Sequence, residues 1–365
     1  MGQISVEIFR ESPVSNKSRL TLAVALATCA IAVPAFASTP TGTDILREWN
    51  LVVLGDLVSS SEVEGRTFVG GDLSGNSSNY NISTIPASSN GTPGLTVVGD
   101  VNGGTKNLNN GSGAIVGGNV NSGFNLNGAT QTVQVGGTIS NTNVNQNTVT
   151  SGLSSSDPAF AQGLQQDKSL ITTSMNNLSY DLSTLSTNSD FSIQGNKGVF
   201  TAQPDANGVA VFNISAADLD AIGEIQFNLN GADTAIVNVS GTSITLNDNF
   251  LGGTSNLGEN VIWNFPDAET LTLTTAFGGS VLAPKADAHT YNYIQGSAVF
   301  GSLVQDGEMH VGTYNGGYHY EPPSSSTSGG SSSGGTSVPE PGMVGLFGAG
   351  LAALFFWRRR RLKAA

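Results

Sequence analysis

Val97-Val98-Gly99-Asp100-Val101, Ile115-Val116-Gly117-Gly118-Asn119-Val120 and Val133-Gln134-Val135-Gly136-Gly137-Thr138-Ile139 are three versions of one phrase: a β-branched run, glycine, a small or polar residue. The phrase occurs upstream as Leu51-Val52-Val53-Leu54-Gly55-Asp56-Leu57 and Phe68-Val69-Gly70-Gly71-Asp72-Leu73. The glycines that precede the polar residue stand at 55, 71, 99, 118 and 137, at offsets of 16, 28, 19 and 19. A period of 16 to 19 with one insertion is what stacked rungs produce, because each rung repeats the same strand and corner. An antiparallel sandwich and a disordered Asn/Gly tract are the alternatives, and the lack of clear hairpin pairs favours the solenoid over the sandwich. The expected fold is all-β, a right-handed parallel β-helix.

Residues 70 to 150 carry 16 asparagines, mostly beside glycine. Asparagine tolerates left-handed backbone and forms side-chain ladders between rungs, which suits the corners of a parallel β-helix. One helix interrupts the pattern. Asp157 is its N-cap and Pro158 its first helical residue. Phe160, Leu164, Ile171, Met175, Leu178, Leu182 and Leu185 recur at spacings of three, four and seven and make one apolar stripe over about 157–186. The stripe predicts an amphipathic helix packed lengthwise on the β domain, with a partner-binding coiled coil as the less economical use. Strands resume after Phe191, and the turn glycines Gly279 and Gly296 return to a spacing of 17.

The ends differ in kind from the middle. Lys17 and Arg19 precede an apolar run from Leu20 to Val33, and Ala35-Phe36-Ala37 offers the small residues of a signal-peptidase site, so residues 1–37 read as a signal peptide. The single cysteine, Cys29, lies mid-run, which argues against lipidation and leaves the exported domain without a thiol. The domain spans 38–322, followed by a Ser/Gly linker at 323–337. Then come Val338-Pro339-Glu340-Pro341, an apolar stretch at 342–357, and the basic run Arg358, Arg359, Arg360 and Arg361. Sixteen residues make a helix of roughly 24 Å, able to span a membrane if its flanks snorkel. The arginines place its end in the cytoplasm.

This tripartite tail resembles the PEP-CTERM sorting signal. The resemblance implies recognition by an exosortase, a membrane-embedded transpeptidase of Gram-negative bacteria with exopolysaccharide systems, and cleavage near Pro339 to Pro341. The membrane anchor is then transient, and the protein is delivered to the outer envelope or the extracellular matrix.

Between residues 38 and 341 there are 25 acidic and six basic residues, an excess of 19 negative charges. Such a surface repels nucleic acid and anionic lipid and argues against both as partners. Glycine, at 47 of 365 residues, is nearly double the roughly 7% of ordinary proteins, which with low charge points to turns and strands.

Over roughly Asp44 to Tyr320 the chain also resembles the choice-of-anchor A domain. The residues that carry this are Asn50 to Leu57, Glu64-Gly65-Arg66-Thr67-Phe68-Val69-Gly70-Gly71, Asn238-Val239-Ser240-Gly241, Ile262-Trp263-Asn264-Phe265-Pro266, Val281-Leu282-Ala283-Pro284, Gly296-Ser297 and Gly301-Ser302-Leu303. The resemblance implies an extracellular domain, attached by different anchors in different bacteria and sometimes beside adhesive modules, with no established reaction.

Candidate chemistry is sparse. A polysaccharide lyase needs a cationic base beside carboxylates. The exported arginines are Arg47 and Arg66, and Arg66 is expected to pair with Glu62 or Glu64. His289, His310 and His319 show no metal-binding spacing, so zinc is not expected. Tyr291, Tyr293, Tyr314 and Tyr318 accompany them and are candidates for stacking on sugar rings, or for capping the solenoid. Asp56, Asp72 and Asp100 offer a weak calcium site if the rungs stack them. Thr272-Leu273-Thr274 is one instance of the Thr-x-Thr array that ice binding repeats. No cofactor is expected. The sequence predicts a non-enzymatic structural or adhesive surface protein, with a polysaccharide-binding or polysaccharide-active β-helix as the rival.

Overall fold

Three-residue strands alternate with glycine corners because side chains on a strand point to opposite faces, so a tripeptide buries its first and third residues inward and offers its second outward. The computed structural model describes residues 41–320. Leu51, Val53, Leu95, Val97, Val133 and Val135 point into one continuous core. Val52, Phe68 and Ile115, the middle residues, enter a second apolar layer on the outer surface. Each early rung has three strands, as in Leu51–Val53, Leu57–Ser59 and Glu62–Val63, followed by Thr67–Val69, Leu73–Ser74 and Ser78–Tyr80. Corresponding strands pair in parallel and in register, Leu51 with Thr67, Leu57 with Leu73 and Val63 with Tyr80. Among the described residues every strand pair is parallel except Asp190–Gln194 with Lys197–Thr201. The architecture is strand-rich and solenoid-like, as the repeat predicts.

The rungs do not stack in chain order. On the first row, strands run in space from Thr148–Thr150 through Thr132–Val135, Ala114–Val116, Leu95–Val97 and Thr67–Val69 to Leu51–Val53. The next neighbour is Ala298–Gln305, then Ser280–Thr290, Val261–Asn264, Thr234–Ser240 and Val209–Ser215. The chain therefore starts in the middle, climbs to one end, crosses to the other and climbs back. Its last full rung closes on its first, Leu51 opposite Ala298 and Val53 opposite Phe300.

The crossing is made by the amphipathic helix, Pro158–Ser183, with Asp157 accepting from the Ala159 N–H and Pro158 at the first position. Its 26 residues span about 39 Å, against about 48 Å for ten strand spacings. Leu164 lies over Gly117, where an added Cβ would stand 3.2 Å from its Cδ1. Further along, Ser179 Oγ donates to Asn264 Oδ1 at 2.6 Å, and Asn238 Nδ2 donates to the Leu182 carbonyl at 2.7 Å. Asn264 Nδ2 donates to the Ser179 carbonyl at 2.8 Å and Asn213 Nδ2 to the carbonyl of Leu185, just past the helix, at 3.1 Å, so asparagines on three successive rungs donate to carbonyls along the end of this segment. Phe160, Leu164, Ile171, Met175, Leu178 and Leu182 are buried against the second apolar layer, the stripe read from the sequence. A short helix, Gly42–Glu48, opened by a Thr41–Asp44 capping box, packs beside it.

No helix among the described residues is long and apolar enough to cross a membrane. The signal segment 1–37, the linker 323–337, the sorting motif Val338 to Pro341, the apolar stretch 342–357 and Arg358 to Arg361 all lie outside the described residues.

Candidate functional site

The Gly-Asp repeat is a corner device. Asp56 Oδ1 accepts from the Asp72 N–H at 2.8 Å, Asp72 Oδ1 from Asp100 N–H at 2.7 Å, and Asp100 Oδ1 from Asn119 N–H at 2.5 Å. Asn119 Oδ1 continues to the Thr138 N–H at 2.9 Å. The glycine before each polar residue makes room, since a Cβ on Gly71, Gly99 or Gly118 would lie 2.1 Å from the Oδ1 of the rung beneath. The aspartates of the calcium reading do stack, but one oxygen of each is already engaged by backbone. Among the described residues no three His, Cys, Asp or Glu groups gather as a metal site.

The outward positions of the third row continue the theme. Asn125 Nδ2 donates to Asn107 Oδ1 at 2.8 Å, Asn127 to Asn109 at 3.2 Å and Asn79 to Glu62 at 3.0 Å. On the second row Asn121 donates to Asn102 at 2.8 Å. Hydroxyls line the opposite half: Ser243 and Thr245 stand beside Thr270 and Thr272. That array stops after two rungs, because Asp287 and His289 follow in register, and then Ser302 and Val304.

At the corner between the second and third rows this polar lattice is broken by rings. Tyr291 is 54% exposed and stacks on His289, with centroids 3.9 Å apart. Two residues on, Tyr293 stacks on His310 at 4.4 Å and 8°. Each imidazole is held from behind by a carboxylate, His289 Nε2 to Asp306 Oδ2 at 2.9 Å and His310 Nε2 to Glu308 Oε2 at 2.8 Å. Ser60 Oγ donates to the other Asp306 oxygen at 2.7 Å, and these bonds hold the Asp306 carboxyl below its usual range. Val304 and Val58, paired in register and about two-fifths exposed, extend the patch beside His289.

Of the four tyrosines expected to stack on sugars, Tyr291 and Tyr293 share this corner. Tyr314 is a correction, and Tyr318 lies apart from the corner. Tyr314 is 1% exposed, lies under the Arg47 guanidinium and shares a 2.7 Å hydrogen bond with Thr234 Oγ1. Tyr318 packs against the second apolar layer and donates to Asp181 Oδ2 at 3.1 Å. Tyr314 fastens the segment after the last rung to the strand of Thr234 and has no ring face to offer, whereas Tyr318 ties that segment to the long helix and is half-buried, away from the Tyr291 corner.

Arg66 is a second correction. Its Nε lies 3.4 Å from Glu48 Oε1 and its Nη2 donates to the Pro86 carbonyl, whereas Glu62 accepts from Asn79 and Glu64 from the Val311 N–H at 2.6 Å. Arg47 donates to the Gly316 carbonyl at 2.7 Å. Arg47, Glu48, Arg66 and Glu259 do converge on a cleft of about 380 Å³. An adjoining groove of about 680 Å³, walled by the insertion that lengthens the step from Gly71 to Gly99, is lined by amides, hydroxyls, glycines, Arg66 and apolar residues such as Ile85, Pro86 and Pro93.

Two buried charges carry no sequence signal. Lys106 is fully buried, with Nζ 2.5 Å from the Asn76 carbonyl, and burial lowers its pKa to about 8. Asp248 is 2% exposed with neither carboxylate oxygen hydrogen-bonded, and burial together with Asp220 pushes it up to about 6.

Residues 42–311, 270 of the 365, match the profile of the family described as "Putative Ice-binding-like adhesive domain". Residues 337–361 match the PEP-CTERM protein-sorting motif and include Val338 to Pro341 and Arg358 to Arg361. That motif marks the chain for exosortase processing and export to the cell envelope or surface. No curated protein and no solved structure matches the chain. The matched profile is the adhesive one, and choice-of-anchor A stays a resemblance.

Proposed function

The chain belongs to the family of ice-binding-like adhesive domains, and from that premise we propose that it is a non-enzymatic adhesin of the cell surface or extracellular matrix. Its ligand is exopolysaccharide or another envelope component, held along the flanks of the solenoid. The observation that carries this reading is the outward lattice: amides, hydroxyls and carboxylates recur in register on neighbouring rungs, at the ~4.8 Å strand spacing. A repeating polymer meets such a surface through many weak contacts whose effects multiply. The short hydroxyl array favours a sugar polymer over ice as the target. The choice-of-anchor A resemblance supports the same extracellular location, and the sorting tail supports a Gram-negative host.

The second reading is a polysaccharide-active enzyme, favoured by the cleft where two arginines meet two glutamates. Against it stands the engagement of both guanidinium groups, by Glu48 and by the carbonyls of Pro86 and Gly316. The test applies the exported protein to exopolysaccharide purified from its own cells. Retention on the polymer without new reducing ends or unsaturated sugars supports the adhesin. New chain ends make the protein an enzyme, and absence of retention removes the polysaccharide from the reading.

A further inference from the structure

The corner of Tyr291 and Tyr293 differs from the rest of the lattice in both shape and charge. A sugar's C–H face stacks on an aromatic ring, and the corner offers the exposed ring of Tyr291 beside the half-buried ring of Tyr293, whose hydroxyl is held 3.2 Å from Thr254 Oγ1; each ring is stacked on an imidazole that limits its rotation. Carboxylates surround them. Asp306 stands on the neighbouring strand just past the Thr290–Gln305 pair, as Tyr291 does on its own strand. Glu308 and Tyr293 likewise both precede the Ile294–Met309 pair. Asp306 and Glu308 are about half exposed. Asp287 is exposed on the same strand as His289, and Glu62 lies on the rung beyond Glu308.

The only basic groups on them among the described residues are the imidazoles of His289 on Asp306 and His310 on Glu308, each engaging one carboxylate oxygen, while Ser60 takes the other oxygen of Asp306; no lysine or arginine offsets them locally. Residues 286–310 and 56–64 contain no lysine or arginine. Lys285, six residues before Tyr291, is about 20 Å away along an extended strand and pairs with Asp267. Ammonium groups are drawn both to carboxylates and to aromatic faces, whereas a uronate polymer is repelled by the same corner.

Resting on the adhesin reading above, we infer that the Tyr291–Tyr293 corner selects a polymer of amino sugars with free ammonium groups, the rings taking the sugar faces and Asp306 and Glu308 the charges.

The test measures binding of the full chain to three soluble probes: a glucosamine hexamer, its fully N-acetylated counterpart and a polyuronate oligomer. The expected result is at least tenfold tighter binding of the glucosamine hexamer, weakening with salt, and no binding of the polyuronate. Tyr291→Ala is expected to abolish binding of both hexosamine probes while leaving the protein's charge unchanged. The double change Asp306→Asn with Glu308→Gln is expected to remove the preference for the free amine and to keep binding of the acetylated probe. If Tyr291→Ala still binds the glucosamine hexamer, the attraction is that of any polycation for an acidic protein and the inference fails. Equal binding of the two hexosamine probes also overturns it, while leaving a neutral-sugar adhesin intact. If none of the probes binds but the cells' own polysaccharide does, the adhesin stands and this specificity is wrong.

Discussion

The Asn50 carboxamide donates to the carbonyl of Gly296, 246 residues further along the chain, at 2.8 Å. The same group donates to the His310 carbonyl at 2.9 Å and accepts from the Gly65 N–H at 3.0 Å. One fully buried side chain thus stitches the first rung to the second and to the last, at the seam where the two halves of the stack meet. Asn50→Ala leaves one N–H and two carbonyls facing a void, at a cost of about 3 kcal/mol. For a domain of this size that lowers the unfolding midpoint by roughly 5 to 10 °C. Calorimetry of the full chain is expected to show this as a shift of the main transition. A shift under about 2 °C would mean that the seam is held by strand pairing alone.

Asp248 costs stability at neutral pH. Its folded-state pKa of about 6 lies above the ordinary 3.8, so the folded protein holds the proton more tightly than the unfolded chain does. Below pH 4 both states are protonated and there is no penalty. Between pH 4 and 6 the penalty grows, reaching at most about 3 kcal/mol and then staying level. Asp248→Asn is therefore expected to stabilise the protein above pH 6 and to be neutral at pH 3.5, as read by denaturant titration at the two pH values. Equal stability of variant and parent at pH 7.5 would show that the carboxylate finds solvent or a partner.

These two residues also mark what the sequence conceals. The rung phrase is local, so Gly71, Gly99 and Gly118 disclose the period, and the stripe from Phe160 to Leu182 discloses a helix lying on the sheet. Stacking order is not local. Nothing in Leu51-Val52-Val53 distinguishes a partner 16 residues away from one 247 residues away, because both neighbours meet the same alternation. Tyrosine spacing likewise groups Tyr314 and Tyr318 with Tyr291 and Tyr293, although only the latter pair shares the corner and Tyr314 is buried. Ring exposure depends on what covers the ring, and over Tyr314 that is Arg47 of the short helix Gly42–Glu48, far from it in sequence. Sequence proximity misleads at Arg66 too: Glu48 approaches it from the segment before the first rung, whereas Glu64, nearer in sequence, turns to Val311.

The Gly-Asp corner makes a sharp pair of variants. Gly118→Ala places a Cβ 2.1 Å from Asp100 Oδ1 and 2.8 Å from the Gly99 carbonyl, so the rung must shift as a whole. Its expected cost is about 2 to 4 kcal/mol. Asp100→Asn keeps an acceptor oxygen for the Asn119 N–H and is expected to cost under about 1 kcal/mol, whereas Asp100→Ala orphans that N–H and costs more. Chemical denaturation ranks the three. If Asp100→Asn proves as damaging as Gly118→Ala, the negative charge itself matters at this corner, and the case for a cation bound along the aspartate row reopens.

The tail supplies the last prediction, and it concerns covalent structure. Residues 337–361 match the sorting motif and imply exosortase processing, and the resemblance to that signal puts the expected cut near Pro339 to Pro341. Intact-mass and terminal-peptide analysis of the protein from its native envelope is expected to find an N-terminus near Ser38 and a C-terminus near Pro341. Glu340→Ala removes the charged residue between the two prolines, and is expected to leave the chain uncut and membrane-associated, with Arg358 to Arg361 still attached. A wild-type C-terminus at Ala365 would make the anchor permanent. The solenoid's flanks would then work at the membrane surface, within reach of polymers in transit across the envelope, and not in the matrix beyond it.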